Sequence, residues 1–390
     1  MRFALIKGQS QYGSLRLHID QLAQALSAIG HEAHVVDMTA EDRQEQLNAA
    51  SALRPDCFFG FSGVGCDLKA GDASAYDVWG CAYASVYVDN PVHHLGRLQT
   101  SVRKQVALFL DRNHLQFVTA SPLARNFAQL GFLPPGANEL PDAPDLSDEA
   151  FARRDIPAMF TGTYRGPPQT PWRAWPESPA KAVAEGIAER MAADAQLPVL
   201  DALRAVLRQL GAELTPQLFN DIAPLLSAPQ FFAEAYHRDA VLQTLGQAGV
   251  GLHIWGNGWE PLAARYPSFV YGGVGSFAET LHTLRRARVV LNINNGFTAG
   301  GHERVFTAMC AGAAVFSDAN PYYDQAFKDD REIVTFAWPK LATAAERLAD
   351  LIADTGRAAG VARAGAKKAQ AEHRWTERAG RLVKAVKQAL

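Results

Sequence analysis

What the chain lacks narrows its class first. Only four of its 390 residues are cysteine, Cys57, Cys66, Cys81 and Cys310, and none forms a C-x-x-C pair. That excludes a disulfide frame or a thiolate zinc site and fits a reducing compartment. No apolar run approaches the roughly 20 residues of a membrane span. Met1 to Ile6 is too short for the apolar core of a signal peptide before Lys7-Gly8-Gln9 breaks it. A cytoplasmic location is therefore expected. The formal net charge of -2 offers no basic surplus for a nucleic-acid backbone. No G-x-G-x-x-G, P-loop or D-x-D motif occurs, and no internal repeat. Peripheral membrane contact stays open, although the mildly basic tail from Lys367 to Lys387 reads as a solvated helix face. Oligomeric state is not legible.

With 48% hydrophobic and 20% charged residues, what is present is an ordinary globular composition. The length exceeds what one core usually supports, so two domains are expected. Short β-branched runs alternate with helical periodicity, the pattern of doubly wound α/β sheets. Strands are expected at Phe3–Ile6, Ala33–Val36, Cys57–Phe61, Ala84–Val88 and Gln116–Ala120. A proline-rich linker follows (Pro134, Pro135, Pro141, Pro144). A second set begins at Ile156–Phe160 and continues at Leu252–Trp255, Phe269–Tyr271, Val289–Ile293, Ala313–Phe316 and Ile333–Phe336. Between them, about 178–249 is alanine- and leucine-rich and reads as a helical insertion. The expected division is 1–145, 146–370 and a C-terminal helix 371–390 available to pack back on the first domain.

Residues just beyond strand ends carry the chemistry in such sheets. In the first domain the richest stretch is Asp89-Asn90-Pro91-Val92-His93-His94, a carboxylate and two imidazoles; as turn chemistry alone, it would cap a helix. In the second, Gly162, Thr163 and Arg165 follow one strand. A glycine-rich turn with Asn292, Asn294, Asn295, Gly300 and Gly301 precedes a helix opening on His302-Glu303-Arg304. A glycine turn running into a helix N-terminus is a seat for an anion, most plausibly a phosphate.

Specific residues resemble a known family. Gly256-Asn257-Gly258-Trp259 is similar to the G-x-G-W turn of CgeB-type (spore maturation) glycosyltransferases within the group-1 glycosyltransferases. Arg304-Val305-Phe306-Thr307-Ala308-Met309-Cys310-Ala311-Gly312 resembles their R-x-F-E-A-x-A-x-G helix. Asp318 and Glu332 to Phe336 resemble the aspartate and strand that follow, and Val88 to Pro91 resembles a first-domain turn. The resemblance implies two Rossmann-like domains facing a cleft (the GT-B type). It implies transfer of a hexosyl or related sugar from a nucleotide sugar to a hydroxyl of a glycan precursor, a surface protein such as flagellin, or a small molecule. No prosthetic group is implied. The donor is most plausibly a UDP-sugar, with dTDP- and GDP-sugars as alternatives, and without D-x-D metal independence is expected.

The implied donor residues are Gly162, Thr163, Arg165, Asn257, Gly258, Trp259, Tyr271, Asn295, Gly300, Gly301, His302, Glu303, Arg304 and Thr307. The nucleotide base and ribose would lie against the Trp255–Trp259 and Tyr271–Gly273 loops. The implied catalytic residues are His93, then Asp89 or His94, of use if the chemistry inverts. Thr307 stands where the family has a ribose-gripping glutamate; Glu303, one turn earlier on the same face, is its candidate replacement. That departure keeps two alternatives in view: a non-catalytic binding or scaffold protein of the same fold, and a nucleotide-sugar epimerase.

Overall fold

The protein is described by a computed structural model covering residues 1–294 and 296–390. The chain forms two units: Met1–Gly136, Leu214–Pro224 and Arg374–Leu390 make unit 1, and Ala137–Glu213 with Leu225–His373 make unit 2.

Unit 1 is built on a six-stranded parallel sheet. Its strands are β1 (Arg2–Lys7), β2 (Glu32–Asp37), β3 (Cys57–Phe59), β6 (Ala82–Tyr87), β7 (Gln105–Phe109) and β8 (Gln129–Phe132); β4 (Lys69–Ala70) and β5 (Ala73–Ser74) form a small hairpin apart from it. The spatial order is β2-β1-β3-β6-β7-β8, all parallel. β6 and β7 are buried along their whole length, as central strands covered on both faces must be. The last helix, Trp375–Ala389, belongs to this unit. Trp375 sits against Phe61 and His18 at 5.6 and 5.5 Å between ring centres. Arg378, one of the tail's basic residues, is buried and donates to Pro135 O at 3.0 Å.

One expected strand is a helix. Gln116–Ala120 falls in and just after the helix Arg112–Thr119, whose first amides, of Asn113 and His114, donate to the Asp111 carboxylate. The β-branched look of that stretch misleads because its buried residues, His114, Phe117 and Val118, repeat at helical spacing. Ser121 then caps the 3₁₀ turn Pro122–Asn126 by accepting from Leu123 N–H. The strand at this place is Gln105–Phe109.

Unit 2 carries the second parallel sheet: β9 (Ile156–Thr161), β10 (Leu252–Trp255), β11 (Phe269–Tyr271), β12 (Ala287–Asn292), β13 (Ala314–Asp318) and β14 (Val334–Phe336). The order is β11-β10-β9-β12-β13-β14, and all pairs are parallel. This is the dinucleotide-fold arrangement, with the order reversing between β9 and β12. The helical insertion comprises Pro179–Ala193, Val199–Gln209, Pro216–Ile222 and Ser227–Gln247. Its piece Leu214–Pro224 groups with unit 1, where Phe219 meets Phe117 at 5.5 Å.

Candidate functional site

β9 and β12 flank the reversal, and in open α/β sheets ligands bind where the loops at the C-terminal ends of two such strands diverge. The described residues there are Gly162–Arg165 after β9 and 293–294 with 296–302 after β12.

The second loop is set by buried side chains. Asn294 donates from Nδ2 to Phe297 O (2.6 Å) and Gly300 O (3.0 Å), and its Oδ1 accepts from His302 N–H (3.1 Å) and the Tyr323 hydroxyl (3.0 Å). Asn320 Nδ2 donates to the same two carbonyls, at 3.3 and 2.9 Å. Asp318 accepts from Asn294 N–H at 2.7 Å and from the Trp338 indole at 3.2 Å. Burial pushes the Asp318 carboxyl up to about 6, against the opposing pull of those donors. Buried polar groups are kept only when satisfied, and here their partners are the turn's own backbone. The network thus fixes a turn that has little apolar content to hold it.

The helix Glu303–Cys310 starts at this turn. His302 caps it, with Nδ1 accepting from Arg304 N–H at 3.1 Å, while His302 N–H is taken by Asn294 and Tyr323. Two of the amides that the sequence assigns to an anion are therefore already used. Those of Gly301 and Glu303 have no acceptor among the described residues. The seat is narrower than expected, and a cation stands beside it. Arg304 is buried, with Nε donating to Thr161 Oγ1 (3.2 Å), Nη1 to Asn292 Oδ1 (2.8 Å), and its guanidinium 5.1 Å from the Phe160 ring centre. Nη2, close to Gly162, has no partner among the described residues. Burial lowers the guanidinium's affinity for its proton, and Glu303 works the other way. Burial likewise raises the Glu303 carboxyl, opposed by Arg304 and by the Thr307 hydroxyl, which donates to it at 3.2 Å. Thr307 Oγ1 also accepts from Asn138 N–H at 3.1 Å. Thr307 thus positions Glu303, and the carboxylate of this helix face is Glu303. Asn295 lies outside the described residues.

The Gly256-Asn257-Gly258-Trp259 turn proves to be a lock on the first loop. Gly162 N–H donates to Trp255 O (3.0 Å) and Tyr164 N–H to Asn257 O (2.9 Å). Gly256 and Gly258 adopt φ of 123° and 84°, and a Cβ on either would fall 1.9 Å from Gly162 O or 2.2 Å from Tyr164 O; only glycine allows this approach. The Trp259 indole donates to Gly162 O at 2.7 Å, stacks on Tyr164 at 5.1 Å, and is fully buried. This corrects the expectation that a base lies against Trp259: the ring has no open face. Tyr271 serves the same turn, its hydroxyl donating to Gly256 O at 3.0 Å. Arg165 is exposed, 5.0 Å from the Phe231 ring centre.

In unit 1, Asp89 to His94 follows β6. Asn90 caps the turn Pro91–His93 by accepting from Val92 N–H, so part of the stretch is turn chemistry. Asp89 Oδ2 lies 3.5 Å from His94 Nε2 and its side chain is 63% exposed. The surrounding protein raises that carboxyl, but His94, His93 and His114 outweigh it and hold it below its ordinary range. His93 and His94 line a cavity of about 540 Å³ with Cys66, Asp67, Gly96, Arg97 and Thr100, room for a sugar-sized ligand. Among the described residues, no group of three or more His, Cys, Asp or Glu is placed to hold a metal ion.

Sequence reasoning missed Asn320, Tyr323 and Arg238, whose Nη1 donates to Thr163 O at 2.8 Å. Asn320-Pro321 carries a legible signal, a cap residue followed by proline at the first helical position. Arg238 carries none, sitting within the long helix Ser227–Gln247.

Residues 238–384 match the family model described as glycosyl transferase-like. No curated protein sequence matches the chain. Among solved structures, sucrose-phosphate synthase from Thermosynechococcus elongatus is 12% identical with a TM-score of 0.56, covering 100% of this chain and 98% of its own. Anabaena HepE, solved with UDP and glucose, is 10% identical at 0.52, covering 99% of each chain. A glycosyltransferase from Rickettsia africae is 8% identical at 0.52, covering 100% and 98%. At these identities the likeness is one of fold. The α/β architecture with two six-stranded parallel sheets is that of the GT-B glycosyltransferases, and the expectation of a glycosyltransferase is borne out at that level, with the glycosyl transferase-like segment lying mostly in unit 2.

Proposed function

We propose that this glycosyltransferase takes its sugar from a UDP-sugar, bound at the β9–β12 crevice, and passes it to a hydroxyl acceptor. The observation that carries the reading is that Arg304, with Nη2 beside Gly162, and the unengaged Gly301 and Glu303 amides all lie on the strand-end loops where the strand order reverses. Transfer breaks the bond from the anomeric carbon to a β-phosphate oxygen, and the diphosphate leaves with the electron pair. Charge developing on that oxygen is stabilised by fixed dipoles and a buried cation, which need no reorganisation at the moment of reaction. HepE has been solved with UDP and with UDP-glucose, which supports uridine over thymidine or guanosine donors.

The new bond joins the anomeric carbon to the acceptor oxygen, whose proton goes to a base if the configuration inverts. We assign that role to His93, with Asp89 and His94 beside it, and acceptor binding to residues 1–145, with 146–370 as the donor side. Glu303 replaces the family's ribose-gripping carboxylate. The CgeB-type subgroup is the family we favour, on the G-x-G-W turn and the Arg304 helix. All four cysteines are unpaired and buried, which supports a cytoplasmic enzyme. Among the described residues, no helix is long and apolar enough to cross a membrane.

Calorimetric titration with UDP, dTDP and GDP tests the donor site. UDP is expected to bind most tightly; absence of binding by all three overturns the reading. Binding without release of UDP from UDP-sugars, across a panel of acceptors, would favour the scaffold.

A further inference from the structure

The helix Ser227–Gln247 reaches both loops of the donor crevice. Arg238 Nη1 donates to Thr163 O at 2.8 Å. One turn earlier, Glu234 lies where a side chain on Gly296 would be, 2.7 Å from its Cβ position, with Gln230 next to it at 3.4 Å. Gln230 donates to Glu234 at 2.9 Å. A helix of the insertion therefore braces the loop after β9 with one side chain and the loop after β12 with two.

Arg238 is under-satisfied. Its Nε is buried with no hydrogen-bond partner, and it forms no ion pair among the described residues. Burial lowers its proton affinity to about 10; Glu234 works against this, and repulsion from Arg304 and Arg165 adds to it. Three guanidinium groups thus lie close enough to feel one another around residues 161–165. The carboxylates near them are Glu234, Asp239 and Glu303, and burial raises the carboxyls of Asp239 and Glu303, favouring their neutral forms. A half-buried guanidinium whose buried Nε has no partner, beside two others, is costly unless an anion completes it. A guanidinium also presents a fork suited to two phosphate oxygens.

We propose that Arg238 is a diphosphate-binding residue of the donor site, supplied by the inserted helix in addition to Arg304. The inference rests on the donor reading above and deepens it. The nucleoside diphosphate completes the donor set of Arg238, and its binding ties the inserted helix to the loop after β9.

The test is the ratio of UDP to UMP affinity by calorimetry, in wild type, Arg238→Gln and Arg238→Lys, with inorganic pyrophosphate as a base-free probe. Loss of a charged hydrogen bond to the β-phosphate should weaken UDP and pyrophosphate by about tenfold to a hundredfold. UMP should change by less than about threefold, and Arg238→Lys should recover part of the UDP affinity by keeping the charge. A role limited to holding Thr163 O would weaken UMP and UDP together, leaving their ratio unchanged, and would overturn the proposal. So would an Arg238→Gln protein that melts as wild type does and binds UDP equally well; the donor site would then stand without Arg238. Failure of wild type to bind UDP, dTDP or GDP would instead bring down the donor reading, and this inference with it.

Discussion

In unit 2 the loops at the strand ends are held by buried polar side chains, whereas in unit 1 the loop after β3 is held by rings of the core. Asn294, Asn320 and Asp318 bond the glycine turn of unit 2. In unit 1, the Tyr83 and Tyr76 hydroxyls donate to Val64 O and Gly65 O at 2.7 and 2.5 Å, and those rings are themselves core. On the proposed donor reading, the difference follows from what the strand-end loops of unit 2 must present. A loop meant for an anion keeps amides and a cation unengaged in a water-poor setting, so its scaffold must be polar and complete. Unit 1 places its titratable groups one strand away, after β6, where Asp89 is open to solvent and a base can exchange protons.

Arg304→Ala should have the largest effect, because it removes the buried cation and leaves Asn292 Oδ1 and Thr161 Oγ1 without the donor that bonds them. UDP affinity is expected to fall by more than about a hundredfold, read by calorimetry; a change below threefold would break the contrast between the units. His93→Ala is the mirror test. Turnover, followed as UDP release, should fall by about a hundredfold or more if the chemistry inverts, with UDP affinity unchanged. Loss of UDP affinity in that variant would place the donor where we have put the acceptor.

Trp259→Ala should act on stability, costing about 3–5 kcal/mol in denaturant unfolding, since the ring fills a core and bonds Gly162. Trp259→Phe keeps most of that volume and should leave the base preference between UDP, dTDP and GDP as in wild type. A changed base preference would return Trp259 to the ligand.

Asp318 gives a smaller, pH-dependent effect. Its folded carboxyl titrates at about 6, roughly two units above an unfolded aspartate. The fold therefore favours the protonated form. That stabilisation is complete below about pH 4, is lost as pH rises through 6, and amounts to about 3 kcal/mol. Asp318→Asn should flatten the dependence, so that melting temperatures at pH 5 and pH 8 lie closer together than in wild type. The smallest change is expected for Thr307→Val, which removes the hydroxyl that donates to Glu303 and accepts from Asn138 N–H. UDP affinity should fall by about threefold to tenfold, and an unchanged value would remove Thr307 from the site.

Periodicity and composition made much of the fold legible. The strands of unit 2 fall within a residue or two of where β-branched runs and glycine breaks put them. In unit 1 the strand Gln105–Phe109 escaped because Gln116–Ala120 has the more strand-like composition, and the Asp111 cap that makes it helical needs the preceding loop to be recognised. The glycine turn and Arg304 were visible as an excess of polar residues over what a connection requires. Their division of labour was not. Nothing in the local sequence says that His302 caps its own helix, that Trp259 faces the core, or that Asn320, some twenty residues beyond the turn, bonds its carbonyls. Arg238 was invisible because a charged residue on an amphipathic helix ordinarily faces water, and only its bond to Thr163 O in the loop after β9 turns it partly inward.

The most direct test of the central claim is a structure of the full chain with UDP bound. Phosphate oxygens are expected within about 3 Å of the Gly301 and Glu303 amides and of Arg304, with the nucleotide at the ends of β9 and β12. Nucleotide found instead beside Asp89–His94 in unit 1, or at the β9–β12 crevice with its diphosphate turned away from Arg304, would contradict it.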